Sequence, residues 1–236
     1  MNHNLKEKKS LMRGLFWRCC SRIPAMHTKD FPPSDDSVKS LGMKKSICVY
    51  CGSNPGAAAE YARAAKAVGV KLAQNDIRLV YGGGQVGLMG LVADACIDAG
   101  GEVYGVIPDF LHQKEIAHPR VQDMHIVTSM HERKLMMAEA SDAFIAMPGG
   151  IGTMEELFEV WTWSQLGRHK KPVGVLNVSG YYDKLLGFID HMTEEGFLLD
   201  KHRAMLVRGE TIEELLEKFE AFEHPGMIAT LEAGQV

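Results

Sequence analysis

The chain has 236 residues, 46% hydrophobic and 24% charged, which is the ordinary mix for a globular chain able to fill one large core. A net charge of −4 supplies no global positive field, and no apolar run approaches the roughly 20 residues of a bilayer span. Neither a nucleic-acid nor a membrane partner is therefore expected. The five cysteines are odd in number and follow no secretory signal, which points to a reducing compartment, and the cytoplasm is expected.

Residues 1–42 stand apart. The first 29 carry seven Lys/Arg and one Glu, and Pro32-Pro33-Ser34-Asp35-Asp36-Ser37 reads as a linker. A disordered extension, or a stretch outside the native frame, is a simpler reading than an Arg-rich targeting sequence or an anion-binding tail. One domain is expected over 43–224, followed by a short tail at 225–236.

From Met43 onward the pattern alternates. Short β-branched or apolar runs fall at 47–51, 77–81, 102–107, 124–128, 142–147, 172–178 and 204–207. Helical periodicity fills 57–73, 86–99, 130–140, 153–166, 181–194 and 211–222. Such alternation requires crossover connections. The expected fold class is therefore α/β: a Rossmann-like, doubly wound, mostly parallel sheet with helices on both faces.

Cys48-Val-Tyr-Cys51 has the spacing of a redox pair, but it lies in the first strand. Side chains three apart on a strand face opposite ways, so two separately buried cysteines are expected. Ligands of such sheets bind beyond the carboxyl ends of the strands, in the loops. Those loops read Cys51–Gly56, Gly82–Gly87, Pro108–Gln122, Ser129–Arg133 and Pro148–Thr153, and all five should share one edge.

The strongest local signal is PGGIGTMEE, Pro148 to Glu156. Glycines at 149, 150 and 152 let backbone amides approach an anion, and the helix that follows presents its positive end there. No Lys follows as in a Walker A loop, so nucleotide triphosphate hydrolysis is not expected. Thr153-x-x-Glu156 is also a capping box, as are Ser129-x-x-Glu132 and Thr211-x-x-Glu214, so Thr and Glu alone say little. The three preceding glycines distinguish the first of these.

Arg133 and Lys134 open the helix after the fourth strand, where two cations oppose the helix dipole; a substrate anion explains them better than helix stability does. Gly82-x-Gly84-x-x-Gly87 fits a dinucleotide fingerprint, but it follows the second strand and lacks the acidic residue at a strand's end. Tight turns and close packing are the alternative reading of those glycines. Met136, Met137, Phe158, Trp161 and Trp163 read as core or subunit-interface residues. The ten histidines show no metal-ligand spacing, there is no nucleophile elbow, and no pyridoxal-phosphate site can be argued around any lysine. No metal or cofactor is expected.

PGGIGTMEE, together with MHERK, YGGGQVGLMG and VYCGSNPG, resembles the LONELY GUY (LOG) family of cytokinin riboside 5′-monophosphate phosphoribohydrolases. The likeness runs from about Met43 to about Phe222, through TWSQLG and KPVGVLNVSGYYD. It implies a homodimer that releases free base and ribose 5-phosphate from AMP or N6-substituted AMP such as isopentenyladenosine monophosphate. Carried onto this sequence, Arg133 and Glu156 are the catalytic pair. Glu115, Lys134, Gly149, Gly150, Ile151, Gly152, Thr153, Met154, Glu155 and Thr162 contact the nucleotide. A non-catalytic nucleotide sensor and an NAD(P)-dependent oxidoreductase remain the alternatives.

Overall fold

The computed structural model describes residues 45–113 and 116–226, all within the unit Ser40–Val236. The expected extension over 1–42 and most of the tail at 225–236 lie outside the described residues. Seven parallel strands form one sheet: β1 (Ser46–Tyr50), β2 (Arg78–Tyr81), β3 (Val103–Pro108), β4 (Asp123–Val127), β5 (Ala143–Ala146), β6 (Val173–Leu176) and β7 (Leu206–Gly209). Their order is β4-β3-β2-β1-β5-β6-β7.

Position in the sheet follows composition. β1, β5 and β6 are central, buried at every residue, and apolar almost throughout. β4 (DMHIV) lies at an edge and exposes Asp123 and Ile126. Among the described residues, eight helices connect and cover the strands: α1 (Ala59–Gln74), α2 (Gly87–Asp98), α3 (Asp109–His112), α4 (Met130–Glu139), α5 (Ile151–Gln165), α6 (Asp183–Glu194), α7 (Asp200–Arg203) and α8 (Ile212–Glu220). The strands and the six long helices fall within two residues of the boundaries that periodicity predicts. The one-turn helices α3 and α7 and a 3-10 turn at Val178–Gly180 are too short to register as a period.

Two hydrophobic layers sandwich the sheet, because successive strand residues point to opposite faces. Ile47, Val49 and Cys51 enter the layer under α1, α2 and α8, with Leu72, Leu88 and Leu215. Cys48, Tyr50 and Phe144 enter the layer under α4, α5 and α6, with Met137, Leu157 and Ile189. Met137 and Trp161 are core residues of that second layer, and Met136, Phe158 and Trp163 pack against it. Cys48 and Cys51 are thus separated by the sheet itself. Burial pushes both thiols well above their ordinary pKa, so neither is a reactive thiolate.

The chain runs from β1 outward to β4, then returns to place β5 on the other side of β1. That reversal opens a crevice at the carboxyl ends of β1 and β5, and the site lies there.

Candidate active site

The loops that leave the carboxyl edge are tied together by backbone hydrogen bonds. Gly52 N–H donates to the Pro148 carbonyl at 3.1 Å, joining the loops after β1 and β5. Leu88 N–H donates to the Gly52 carbonyl at 2.9 Å, and Gln85 N–H to the Ile116 carbonyl at 2.8 Å. These bonds bring in the loops after β2 and β3.

PGGIGTMEE begins α5, but not in the way its Thr-x-x-Glu spelling predicts. Gly150 is the N-cap, α5 starts at Ile151, and no side chain caps it. The capping reading of Thr153 and Glu156 is therefore corrected. Thr153 is the third helical residue and is buried, and its Oγ1 lies 2.1 Å from where a Cβ on Gly149 would sit. Gly149 is a glycine because Thr153 and Gly52 occupy that space.

Gly150 and Gly152 differ. A Cβ at either would meet nothing within 4 Å, and neither has a positive φ. Internal packing gives no reason for glycine at these two positions, whereas close approach of a ligand to the backbone does. Ile151, between them, is 86% exposed. Met154 instead packs into the layer beneath.

Arg133 enters from the first turn of α4, which Ser129 caps by accepting from Glu132 N–H at 3.1 Å. The guanidinium is buried. Its Nε donates to the Val106 carbonyl on β3 and its Nη2 to the Gly82 carbonyl after β2, both at 3.1 Å. Its remaining nitrogen, Nη1, lies 3.8 Å from Glu156 Oε1. A Cβ on Gly82 would come within 1.8 Å of Nη2.

This contact explains the Gly82-x-Gly84-x-x-Gly87 spacing without a dinucleotide. Gly82 makes room for Arg133. Gly87 holds φ +59 and packs 2.3 Å from the Ser53 backbone, measured from an added Cβ.

Glu156 is 12% exposed at its side chain and belongs to no cap. Burial raises its pKa from the usual 4.5 to about 7, although Arg133 pulls the other way. A carboxyl group poised near neutrality beside a fixed arginine has the properties of a proton-transfer or charge-stabilising group.

Lys134 turns toward α5, where Nζ meets Glu155 at 2.5 Å and Glu159 at 3.0 Å. Burial opposes its charge, but the two carboxylates outweigh that and raise its pKa. Thr162 is exposed and lies on the Glu155–Glu159 stripe, since steps of four and three return to one helix face. It therefore sits a turn and a half beyond Glu156, away from the Arg133–Glu156 pair. Glu115 lies outside the described residues. Among the described residues no group of three His, Cys, Asp or Glu could hold a metal.

Sequence reasoning missed Tyr181 and Tyr182. Their hydroxyls donate to the carbonyls of Gly149 and Met147 at 2.5 and 2.6 Å. No spacing rule flags two tyrosines after a strand.

Comparison with known proteins shows the family to which the chain is similar. The family described as "Possible lysine decarboxylase" matches residues 89–219, more than half of the chain. Cytokinin riboside 5′-monophosphate phosphoribohydrolase LOG3 of Arabidopsis thaliana is 50% identical over 189 residues, 78% of this chain and 88% of that protein. The probable cytokinin riboside 5′-monophosphate phosphoribohydrolase LOGL1 of Oryza sativa subsp. japonica is 54% identical over 176 residues, 75% and 79% of the two chains. The chain belongs to the LOG family.

Among solved structures, the molybdenum cofactor binding protein of Rippkaea orientalis superposes with TM-score 0.59 at 19% identity, covering 77% of this chain and 98% of that one. The molybdenum cofactor carrier protein of Chlamydomonas reinhardtii gives 0.57 at 19% identity, over 76% and 98%. At that identity the likeness is one of fold. The LOG family's decarboxylase label gains nothing from this site, where the cation facing the carboxylate is an arginine held by two carbonyls and the neighbouring Lys134 is tied to Glu155 and Glu159.

Proposed function

We infer that this protein hydrolyses the N-glycosidic bond of adenosine 5′-monophosphates. AMP and N6-modified AMP of the cytokinin type would yield the free base and ribose 5-phosphate. The observation that carries the reading is Glu156: a carboxyl group with no helix to cap, buried at the sheet's carboxyl edge and paired with Arg133.

In the proposed reaction the C1′–N9 bond breaks with its electron pair going to the base, and water oxygen bonds to C1′. One water proton ends on the base. The ribose carries oxocarbenium character in the transition state, which the Glu156 carboxylate stabilises while accepting a proton from the attacking water. The open amides of Gly150–Thr153, at the positive end of α5, would hold the 5′-phosphate. Arg133 would oppose the negative charge gathering on the departing purine. Lys134 and Glu155 would order the rim of the nucleotide site, with Glu115 and Thr162 as further contacts.

We place the enzyme in a reducing compartment, the cytoplasm, as a homodimer. Cys48 and Cys51 are free and buried, which supports the compartment. Among the described residues no helix is long and apolar enough to cross a membrane.

The test is to incubate purified protein with AMP and with isopentenyladenosine monophosphate and to follow free base by chromatography. Base release that Glu156→Gln abolishes is the expected result. Tight AMP binding with no base released over hours would leave a nucleotide sensor instead, and hydride exchange with a nicotinamide would leave an oxidoreductase.

A further inference from the structure

The phosphate cradle hangs on a peptide unit that its own sequence does not orient. The unit joining Gly149 to Gly150 has glycine on both sides, so no Cβ restricts its rotation. Two neighbours restrain this stretch. Gly52 N–H holds the Pro148 carbonyl, and the Tyr181 hydroxyl holds the next carbonyl, that of Gly149, at 2.5 Å.

A trans peptide is planar, so the N–H of one residue points opposite to the C=O of the residue before it. Pinning the Gly149 carbonyl toward Tyr181 therefore turns the Gly150 N–H the other way. Among the described residues neither Gly149 N–H nor Gly150 N–H has a hydrogen-bond acceptor.

The arm that delivers Tyr181 is itself stiffly built. Ser179 and Gly180 both adopt left-handed backbone, with φ of 52° and 73°, and turn the chain back beneath the β5–α5 loop. Asn177, fully buried, accepts from Tyr182 N–H at 2.7 Å and donates to Asp183 Oδ1 at 2.8 Å. The buried Tyr182 hydroxyl holds the Met147 carbonyl, two residues before Gly149 on the same side of the extended chain. The Tyr181 ring stands edge-on to Tyr61 and to Tyr182, at 5.7 and 5.0 Å. A buried Tyr182 hydroxyl needs a protein partner. Tyr181 is 41% exposed and could be satisfied by solvent, yet it takes the carbonyl at the mouth of the cradle.

We propose that Tyr181 is a positioning residue that orients the Gly149–Gly150 peptide so that the Gly150 amide is presented to the phosphate of the substrate, with Tyr182 and Asn177 fixing the arm that carries it. The inference rests on the reading of residues 150–153 as a phosphate cradle. Tyr181 does not act on the glycosidic bond; it sets the direction of a donor.

The experiment uses full-length ¹⁵N-labelled protein titrated with inorganic phosphate, wild type against Tyr181→Phe, together with steady-state kinetics on AMP. The phenylalanine ring keeps its place on Tyr61, so the melting temperature should match. In wild type the Gly150 amide resonance should move on titration. In the variant that response should vanish, phosphate should bind about tenfold more weakly, and KM for AMP should rise by a similar factor with kcat within about twofold.

Tyr182→Phe removes the second hydroxyl beneath the cradle and should shift KM in the same direction by less. A Gly150 amide that responds as in wild type in Tyr181→Phe, whether or not affinity falls, overturns the latch and leaves the cradle standing. A wild-type protein whose 150–153 amides ignore both phosphate and AMP overturns the cradle, and the latch with it.

Discussion

At the start of α8, Thr211 Oγ1 accepts from Glu214 N–H at 3.2 Å, and Glu214 Oε2 accepts from Glu210 N–H at 2.7 Å. The start of α4 repeats the arrangement with Ser129, Glu132 and Thr128. The start of α5 has the same spelling, Thr153-x-x-Glu156, and neither half of the arrangement. Gly150 takes the N-cap place, Thr153 folds onto Gly149, and Glu156 is carried three residues deeper than a cap would hold it.

At α4 and α8 the orphan amides of the first turn are satisfied by their own side chains. At α5 no side chain caps them, and the glutamate is left for Arg133. One sequence signature thus closes two helices and opens a third. The glycines ahead of it decide which, because Gly150 can cap without a side chain and Gly149 tolerates the inward turn of Thr153.

The largest expected effect tests this contrast directly. Glu156→Gln should leave the fold intact and lower turnover of AMP on the order of 10²–10⁴-fold, the range for a positioned acid or base. Glu214→Gln, at the matching place in α8, should leave turnover unchanged. Near-normal base release by Glu156→Gln would return Glu156 to a structural role.

Gly82→Ala comes next. The added methyl would collide with Arg133 Nη2, and a guanidinium displaced by about an ångström should cost on the order of 10²-fold in kcat/KM. Full activity in this variant would show that Arg133 is not held where the chemistry needs it.

The pH dependence sharpens the same comparison, with opposite signs for activity and stability. If the carboxylate is the working form, kcat/KM should rise with pH and level off above about 7, the pKa that burial gives Glu156. For stability, the folded pKa lies above the unfolded 4.5, so the folded state holds the extra proton between the two values. Its contribution is fully present below about pH 4.5 and is lost as pH rises toward 7, by up to about 3 kcal/mol. Denaturant midpoints of wild type should therefore fall across that window relative to Glu156→Gln. Parallel curves for the two proteins would remove the buried carboxyl from the account.

The smallest effect belongs to the ordinary cap. Thr211→Ala should lower stability by about 1 kcal/mol and leave kcat/KM unchanged, because the Thr211 hydroxyl caps its own helix.

Much of this was legible in the letters alone. Alternating strand and helix periods placed all seven strands, and period two separated Cys48 from Cys51 across the sheet. The glycine run after β5 marked a loop at the carboxyl edge, since parallel strands put every such loop on one edge. Arg133 stood out as a cation at the wrong end of a helix. What the letters could not supply is which atoms meet.

Arg133 finds its two carbonyl partners 27 and 51 residues away, and Tyr181 reaches Gly149 across 32. Gly82 reads as a nucleotide fingerprint until Arg133 is seen beside it, and Glu156 reads as a cap until its helix is seen to start elsewhere. Periodicity reports which face of an element is buried, a local property. Contacts among loops depend on strand order and register, which the packing of the whole sheet decides.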